Sequence, residues 1–203
     1  MNEDFAKEHL HNGLRRVREA LLWKLDGLGE YDVRRPLTPT GTNLLGLVKH
    51  LALLESAYFG MVFDRPFPEP LPRWDDPATH GTDLWATEHE TREEIVDRYR
   101  RAWAHADATI TALPLDAPGH VPWWPHPDVR LSTVLVHMLT ETSRHAGHAD
   151  ILREHLDGST GATPRHAAPA HETALREAHC AKVERAAKAA AGRPGRESLR
   201  APG

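Results

Sequence analysis

Four stretches of the chain repeat apolar residues at the three-to-four spacing of an amphipathic helix. In the first, Leu14 and Val17 mark the buried face, and in the second Leu47 and Leu51 belong to a broader apolar face. No stretch shows sustained period-two alternation. The pattern therefore predicts an all-α protein, a four-helix bundle. The predicted helices span about residues 4–28, 43–63, 88–112 and 132–156.

Two long loops rich in Pro and Trp interrupt this pattern, one after the second helix (64–85) and one after the third (114–130). Both are long enough for crossover connections between helices that are not adjacent hairpin partners. Loops of this length are often functional. We therefore expect them to border any site in the bundle.

The last 45 residues have a different composition. Residues 159–203 hold eight Lys and Arg against four Glu, and they are rich in Ala, Pro and Gly. Such a segment cannot bury a core of its own, although Ala propensity favours a helix over 172–191. We predict a bundle domain at 1–158 and a C-terminal extension at 159–203. The scattered basic charges lack interleaved aromatic residues, which argues against nucleic acid as a partner.

The whole-chain composition is that of a soluble globular protein. The formal charge is −4, and the single cysteine, Cys180, has no intrachain partner. The chain has neither a secretory signal pattern at its start nor an apolar run of membrane-spanning length. These features predict a cytoplasmic protein without a membrane partner. The unusual count is histidine, at 15 residues.

Two side chains of types that bind metals share one face of the fourth helix. Glu141 and His145 are four residues apart, and His50 lies at the edge of the apolar face of the second helix. Metal sites in bundles are built from inward side chains of facing helices. Two imidazoles and a carboxylate leave open positions, as in catalytic zinc, and also suit ferrous iron. His148 is the competing ligand, which we predict to orient a ligand or a substrate.

Spacing alone leaves a second interpretation open, namely that these are hydrogen-bonded core or surface residues. The segments TNLLGLVKHLALLESAYFG and HMLTETSRHAGHADILREHLDG decide between the two, because together they resemble the DinB-like superfamily. The resemblance covers about residues 5–158. Within this superfamily, the sequence most resembles an actinobacterial branch of unknown function. That branch is related to mycothiol-dependent S-transferases and maleylpyruvate isomerases.

The resemblance implies a four-helix bundle with a central metal, zinc by preference, with nickel or iron as alternatives. Many members carry H-x-x-x-H-R-G-Q on the last helix, and in the isomerase branch the first His is Glu. Here Glu141 and His145 match the ligand positions, and His50 matches the remaining ligand. Ala146 and Gly147 stand at the R-G positions, and His148 stands in place of Gln.

The activity implied by the resemblance is thiol S-transfer, in which a metal-bound thiolate, with mycothiol as the co-substrate, attacks a small electrophile. His148 is then a candidate catalytic residue. We predict that Trp123 and Trp124 border the cavity, whereas Trp74 and Trp85 either border it or pack in the core or the loops. Arg144 and Arg153 are candidates for binding an acidic substrate group, although arginines at such positions also pair with Glu or face solvent. Two alternatives stay open: hydrolysis by metal-bound water, and a metal-binding or small-molecule-binding module without catalysis.

A homodimer is also compatible with the sequence. Four aromatic residues at the end of the second helix and in the following loop either form an apolar patch for a partner subunit or pack inside their own chain. These residues are Tyr58, Phe59, Phe63 and Phe67.

Overall fold

A computed structural model of the chain describes residues 3–71, 81–164 and 170–191. It divides into two compact units, Met1–Pro164 and Arg165–Gly203. The first unit extends a few residues past the predicted limit at 158. The carbonyl of Gly161 accepts a hydrogen bond from Trp23 Nε1 at 3.1 Å, and its N–H donates to Asp150 at 3.0 Å.

The described residues are mostly helical. Their six α-helices are α1 (Glu3–Leu22), α2 (Glu30–Arg34), α3 (Leu44–Tyr58), α4 (Arg92–Ala112), α5 (Leu131–Asp157) and α6 (Ala170–Ala191). Strands β1 (Pro118–His120) and β2 (Asp128–Arg130) form an antiparallel hairpin in which Gly119 faces Val129. The all-α prediction is confirmed: α1, α3, α4 and α5 are the four predicted bundle helices.

The differences from the predicted elements lie at helix ends and in loops. Short 3₁₀ turns, Trp23–Leu25 and Met61–Phe63, follow α1 and α3 where the sequence predicts continuous helix. The hairpin was not predicted because strands of three residues are too short to show alternation. Its close packing requires Gly119, where an added Cβ would lie 2.7 Å from the Phe63 ring.

The bundle helices are not joined as simple hairpins. Lys49 at the start of α3 pairs with Glu90 just before α4, at 2.8 Å, so these two helices run parallel and the loop between them is a crossover. In contrast, the ring of His50 near the start of α3 meets that of His145 in the second half of α5. Tyr58 at the end of α3 meets His137 near the start of α5. Helices α3 and α5 are therefore antiparallel.

Helix α3 is the central element of the core. Segment Leu44–Phe63 is the single described stretch long and apolar enough to cross a membrane, but 78% of it is buried inside the bundle. Its hydrophobicity is accounted for by packing against α4 and α5. The four aromatic residues proposed as a dimer patch are also buried, at 8% exposure or less, so they pack inside their own chain. They are Tyr58, Phe59, Phe63 and Phe67.

A buried ion-pair network ties α1 to α3 and α4. The Arg18 guanidinium, with its side chain 1% exposed, donates through Nε and Nη2 to both carboxylate oxygens of Glu55, at 2.8 and 2.5 Å. Its Nη1 donates to Asp107 at 2.7 Å. Burial opposes the charge on Arg18, but the attraction of Glu55 and Asp107 outweighs it and raises the arginine's pKa.

The second unit contains α6, whose described side chains, from Ala174 onward, are exposed. Cys180 lies on this helix and is exposed with the rest. The predicted helix at 172–191 agrees with the observed bounds. Its origin is Ala propensity, because no apolar face of useful size runs along it.

Candidate functional site

His50 and His145 meet between α3 and α5, as the spacing argument required. Their ring centroids are 5.0 Å apart, and the planes are nearly perpendicular at 78°. Both side chains are largely but not fully covered, with 17% and 14% of their area exposed. The antiparallel packing of the two helices therefore brings two imidazoles from distant parts of the sequence into contact.

Glu141 lies one helical turn before His145 on α5. Its Oε2 is 3.7 Å from His145 Nε2, and its side chain is 19% exposed. Arg144, which is mostly exposed, contacts the other carboxylate oxygen of Glu141 at 3.2 Å. The predicted site residues His50, Glu141 and His145 thus form one cluster, which we call the imidazole–carboxylate cluster.

The electrostatics of the cluster keep His145 uncharged. Burial is the largest cause, followed by the nearby His50, and together they lower the pKa of His145 to about 4. At neutral pH the ring is neutral, which is the form that can donate a lone pair to a metal. Its Nδ1 is buried without a hydrogen-bond partner among the described residues.

The side chains of His50, Glu141 and His145 are of the types that bind a zinc-like ion. The structure does not show their donor atoms directed at one common position. In the described part of the chain, no three His, Cys, Asp or Glu side chains are disposed to hold one metal together. What fits is the chemistry: two imidazoles, of which that of His145 is neutral, and a carboxylate, all partly covered, with one buried ring nitrogen that has no partner among the described residues. The metal site at His50, Glu141 and His145 stays a prediction.

Asp83 is the site residue that the sequence analysis missed. Its Oδ2 lies 2.5 Å from Nδ1 of His50, and this hydrogen bond is the largest cause that lowers the pKa of Asp83. An ionised carboxylate only accepts, so Nδ1 of His50 carries a proton, which leaves Nε2 as the ring nitrogen that could bind a metal. Carboxylates orient metal-binding histidines in this way in many metalloproteins.

The short turn that carries Asp83 is fixed onto the first turns of α3. Asn43 donates from its side chain to the Leu84 carbonyl at 3.3 Å, and Lys49 donates to the Trp85 carbonyl at 3.0 Å. Gly46 makes this approach possible, because an added Cβ would lie 1.9 Å from the Leu84 oxygen. One face of α3 thereby holds the turn that orients His50.

His148 lies at the rim of the cluster rather than inside it. Its ring centroid is 5.4 Å from that of His145, but the residue is exposed and does not face the interior of the bundle. An α-helix has about 3.6 residues per turn, so a side chain three residues further along does not return to the same direction. Three residues after His145, the side chain has turned from the interior toward solvent.

The two tryptophans before α5 belong to an aromatic cluster near the end of α3 and the start of α5. The indole N–H groups of Trp123 and Trp124 both donate to the hydroxyl oxygen of Tyr58, each at 3.1 Å. The Tyr58 ring contacts His137 on α5, with centroids 4.8 Å apart. We call Tyr58, Trp123, Trp124 and His137 the aromatic cluster.

The remaining predicted substrate contacts are placed differently. Arg144 is next to Glu141, within reach of the cluster. Arg153 is 7% exposed and donates to Asp157 and to the carbonyls of Lys24 and Asp26, so its surroundings point to a structural role. Trp85 is half-exposed on the turn after Asp83. Trp74 lies outside the described residues.

A family model described as mycothiol S-transferase matches residues 9–158 of the chain. The protein belongs to the mycothiol S-transferase family. The matched region contains the four bundle helices and both clusters, and it ends before the C-terminal unit begins. It agrees with the resemblance to the DinB-like superfamily noted in the sequence.

Solved structures add support for the fold of this mycothiol S-transferase family member. A crystal structure of a conserved protein from Enterococcus faecalis is similar, with a TM-score of 0.53 and 16% sequence identity. The similarity covers 75% of this chain and 97% of that one. At this identity it shows a shared fold alone. No protein of curated function matches the chain significantly.

Proposed function

We propose that the protein transfers a low-molecular-weight thiol, mycothiol, to a small electrophile with the help of a divalent metal. The observation that carries this proposal is the meeting of His50, Glu141 and His145 between two antiparallel helices, in a chain of the mycothiol S-transferase family. The reduced thiol that such a reaction needs is consistent with a cytoplasmic location.

His50, Glu141 and His145 would hold the metal, zinc by preference, with nickel or iron as alternatives. When bound, such an ion supplies the positive charge that keeps a thiol sulfur deprotonated and nucleophilic at neutral pH. The protein itself needs no cysteine for this chemistry, because the sulfur nucleophile belongs to the co-substrate thiol.

The neighbouring side chains prepare the three ligands. Asp83 fixes the ring orientation and tautomer of His50, and burial keeps His145 neutral. Arg144 holds one oxygen of Glu141 and, being mostly exposed, is also available to an acidic group of the substrate. His148, exposed beside His145, would contact a bound thiol or exchange a proton with solvent.

The activity is tested with purified protein, mycothiol and a general thiol-reactive electrophile such as a haloarene. We expect the S-conjugate to form faster than in the protein-free reaction, to stop after chelation and to resume when zinc is restored. Formation of no conjugate with mycothiol or any other low-molecular-weight thiol would contradict the proposal.

Replacing Asp83 with asparagine is expected to weaken metal binding by about 10–100-fold, the usual loss for an outer partner of a ligand. An amide does not fix the Nδ1–H tautomer of His50 as a carboxylate does, so the lone pair at Nε2 is less well oriented. Competition against a chromogenic chelator measures the affinity directly.

The matched control is Asp128→Asn, which changes the other described Asp partner of a histidine Nδ1. That pair, with His120, has the same atoms 2.9 Å apart but is exposed on the hairpin. We expect the metal affinity of this variant to equal that of the wild type. Equal metal affinities in the Asp83→Asn and Asp128→Asn variants would contradict the orienting role of Asp83.

A further inference from the structure

Tyr58 has a hydroxyl proton that the described part of the protein does not use. Its oxygen is 3.1 Å from the indole nitrogen of Trp123 and 3.1 Å from that of Trp124. Indole N–H groups only donate, so the oxygen of Tyr58 is the acceptor in both bonds. The single O–H proton must therefore go to a third group, and none of the described residues accepts it.

This proton lies in a setting that favours a flat ligand. Tyr58 is 5% exposed, and its ring lies 5.5 Å from Trp123, 5.9 Å from Trp124 and 4.8 Å from His137. Trp123 itself is 38% exposed, so one edge of the aromatic cluster faces solvent. Aromatic faces and edges favour flat conjugated partners, while an unused buried donor favours an oxygen acceptor.

The aromatic cluster lies next to the imidazole–carboxylate cluster along the facing sides of α3 and α5. His137 precedes Glu141 by four residues, a rise of about 6 Å along α5. Tyr58 follows His50 by eight residues on the antiparallel helix α3, a rise of about 12 Å. The charge of Glu141 acts on His137, where it opposes the lowering of the histidine's pKa by burial. A molecule held by the aromatic cluster would thus lie beside the proposed thiol site.

We propose that Tyr58 is a catalytic residue that donates a hydrogen bond to the carbonyl oxygen of the electrophile, and that flat conjugated carbonyl compounds are the substrate class. This inference rests on the proposed thiol transfer. The double hydrogen bond from Trp123 and Trp124 fixes the direction of the hydroxyl group, so the donor is in place before the substrate arrives.

The chemical step balances without a further reagent. The sulfur electron pair of the thiolate forms the C–S bond at the β-carbon. The C=C electron pair moves between the α-carbon and the carbonyl carbon, and the C=O pair moves onto oxygen, giving an enolate. Tyr58 stabilises that oxygen while keeping its own proton. Water then protonates the α-carbon, and the product is a β-thioether ketone.

The test compares two electrophiles in the wild type and in Tyr58→Phe: an aryl enone, 4-phenylbut-3-en-2-one, and oxygen-free benzyl bromide. Loss of one oxyanion donor typically lowers the rate by about 100–1,000-fold. We expect a drop of about 100-fold in kcat/KM for the enone and a change within about twofold for benzyl bromide. An equal effect on both electrophiles, or no effect on either, would overturn the role of Tyr58.

The matched control is Tyr31→Phe, which removes a hydroxyl from a tyrosine that is 77% exposed on α2. We expect its rates with both electrophiles to equal those of the wild type. Thermal unfolding of both variants checks that the fold is kept.

A binding measurement separates this inference from the proposed transfer reaction. Unreactive acetophenone and ethylbenzene differ in the carbonyl group, and the indole N–H resonances of Trp123 and Trp124 report binding by NMR. We expect the wild type to prefer acetophenone and Tyr58→Phe to lose that preference. This pattern without turnover of any electrophile would overturn the transfer reaction and keep the carbonyl site. An unchanged preference in Tyr58→Phe would overturn the carbonyl site whatever the turnover.

Discussion

Replacing Glu55 with alanine should destabilise the protein by about 3–5 kcal/mol, since it removes one partner of a buried ion pair. The guanidinium of Arg18 gives two of its hydrogen bonds to Glu55 and is almost inaccessible to solvent. Without Glu55 the positive charge keeps Asp107 as its one anionic partner among the described residues. For a domain of this size the loss corresponds to a fall in Tm of roughly 6–20 °C, measurable by calorimetry.

Two further variants isolate the cause of that loss. Asp97→Ala removes an exposed pair with Arg100, at 3.2 Å, and should cost less than about 1 kcal/mol. The double variant Arg18→Met, Glu55→Leu removes both charges from the interior and should recover most of the stability. Asp107 keeps His11 and Arg15 as partners in that protein. A double variant no more stable than Glu55→Ala would contradict a charge-burial cause.

Replacing His145 with alanine should remove the bound metal and lower conjugation by at least about 100-fold, more than the loss of an outer partner causes. The reason is that His145 supplies one of three proposed ligands, and the buried Nδ1 of its neutral ring has no partner in the described part of the chain. Metal content by mass spectrometry and conjugation rate are measured on the same samples. In the metal-free state, His145→Ala should lower the free energy of unfolding only by the cost of the small cavity that the missing ring leaves.

The controls for His145→Ala lie on the same helix. His155→Ala changes an exposed histidine near the end of α5 and should leave metal content and rate unchanged. His148→Ala should retain the metal, because His148 is exposed at the rim and acts on the thiol or its proton. Full metal content in His145→Ala would contradict the proposed ligand set.

The bundle and its central cluster could be predicted because they depend on regular spacing. Glu141 and His145 share a helix face by their separation alone, and His50 stands on the apolar side of a strongly periodic helix. The antiparallel packing of α3 and α5 then brings the rings together. The family resemblance added the metal and the thiol, which no spacing supplies.

The parts that escaped prediction depend on irregular segments or on tertiary partners. Asp83 lies in a short turn 33 residues after His50, where no periodicity links the two. The burial of Arg18 could not be predicted because its partners, Glu55 and Asp107, are far away in sequence. Tyr58 was recognised as apolar, but its hydroxyl partners come from the loop before α5.

The most direct test of the central claim is zinc K-edge X-ray absorption on the zinc-loaded protein, with and without mycothiol. The account predicts two imidazole nitrogens and one carboxylate oxygen at about 2.0–2.2 Å, and an added sulfur at about 2.3 Å when mycothiol is present. The His50→Ala and Glu141→Ala variants should each lose this spectrum. A protein that binds no stoichiometric zinc, or one whose zinc gains no sulfur neighbour from mycothiol, would contradict it.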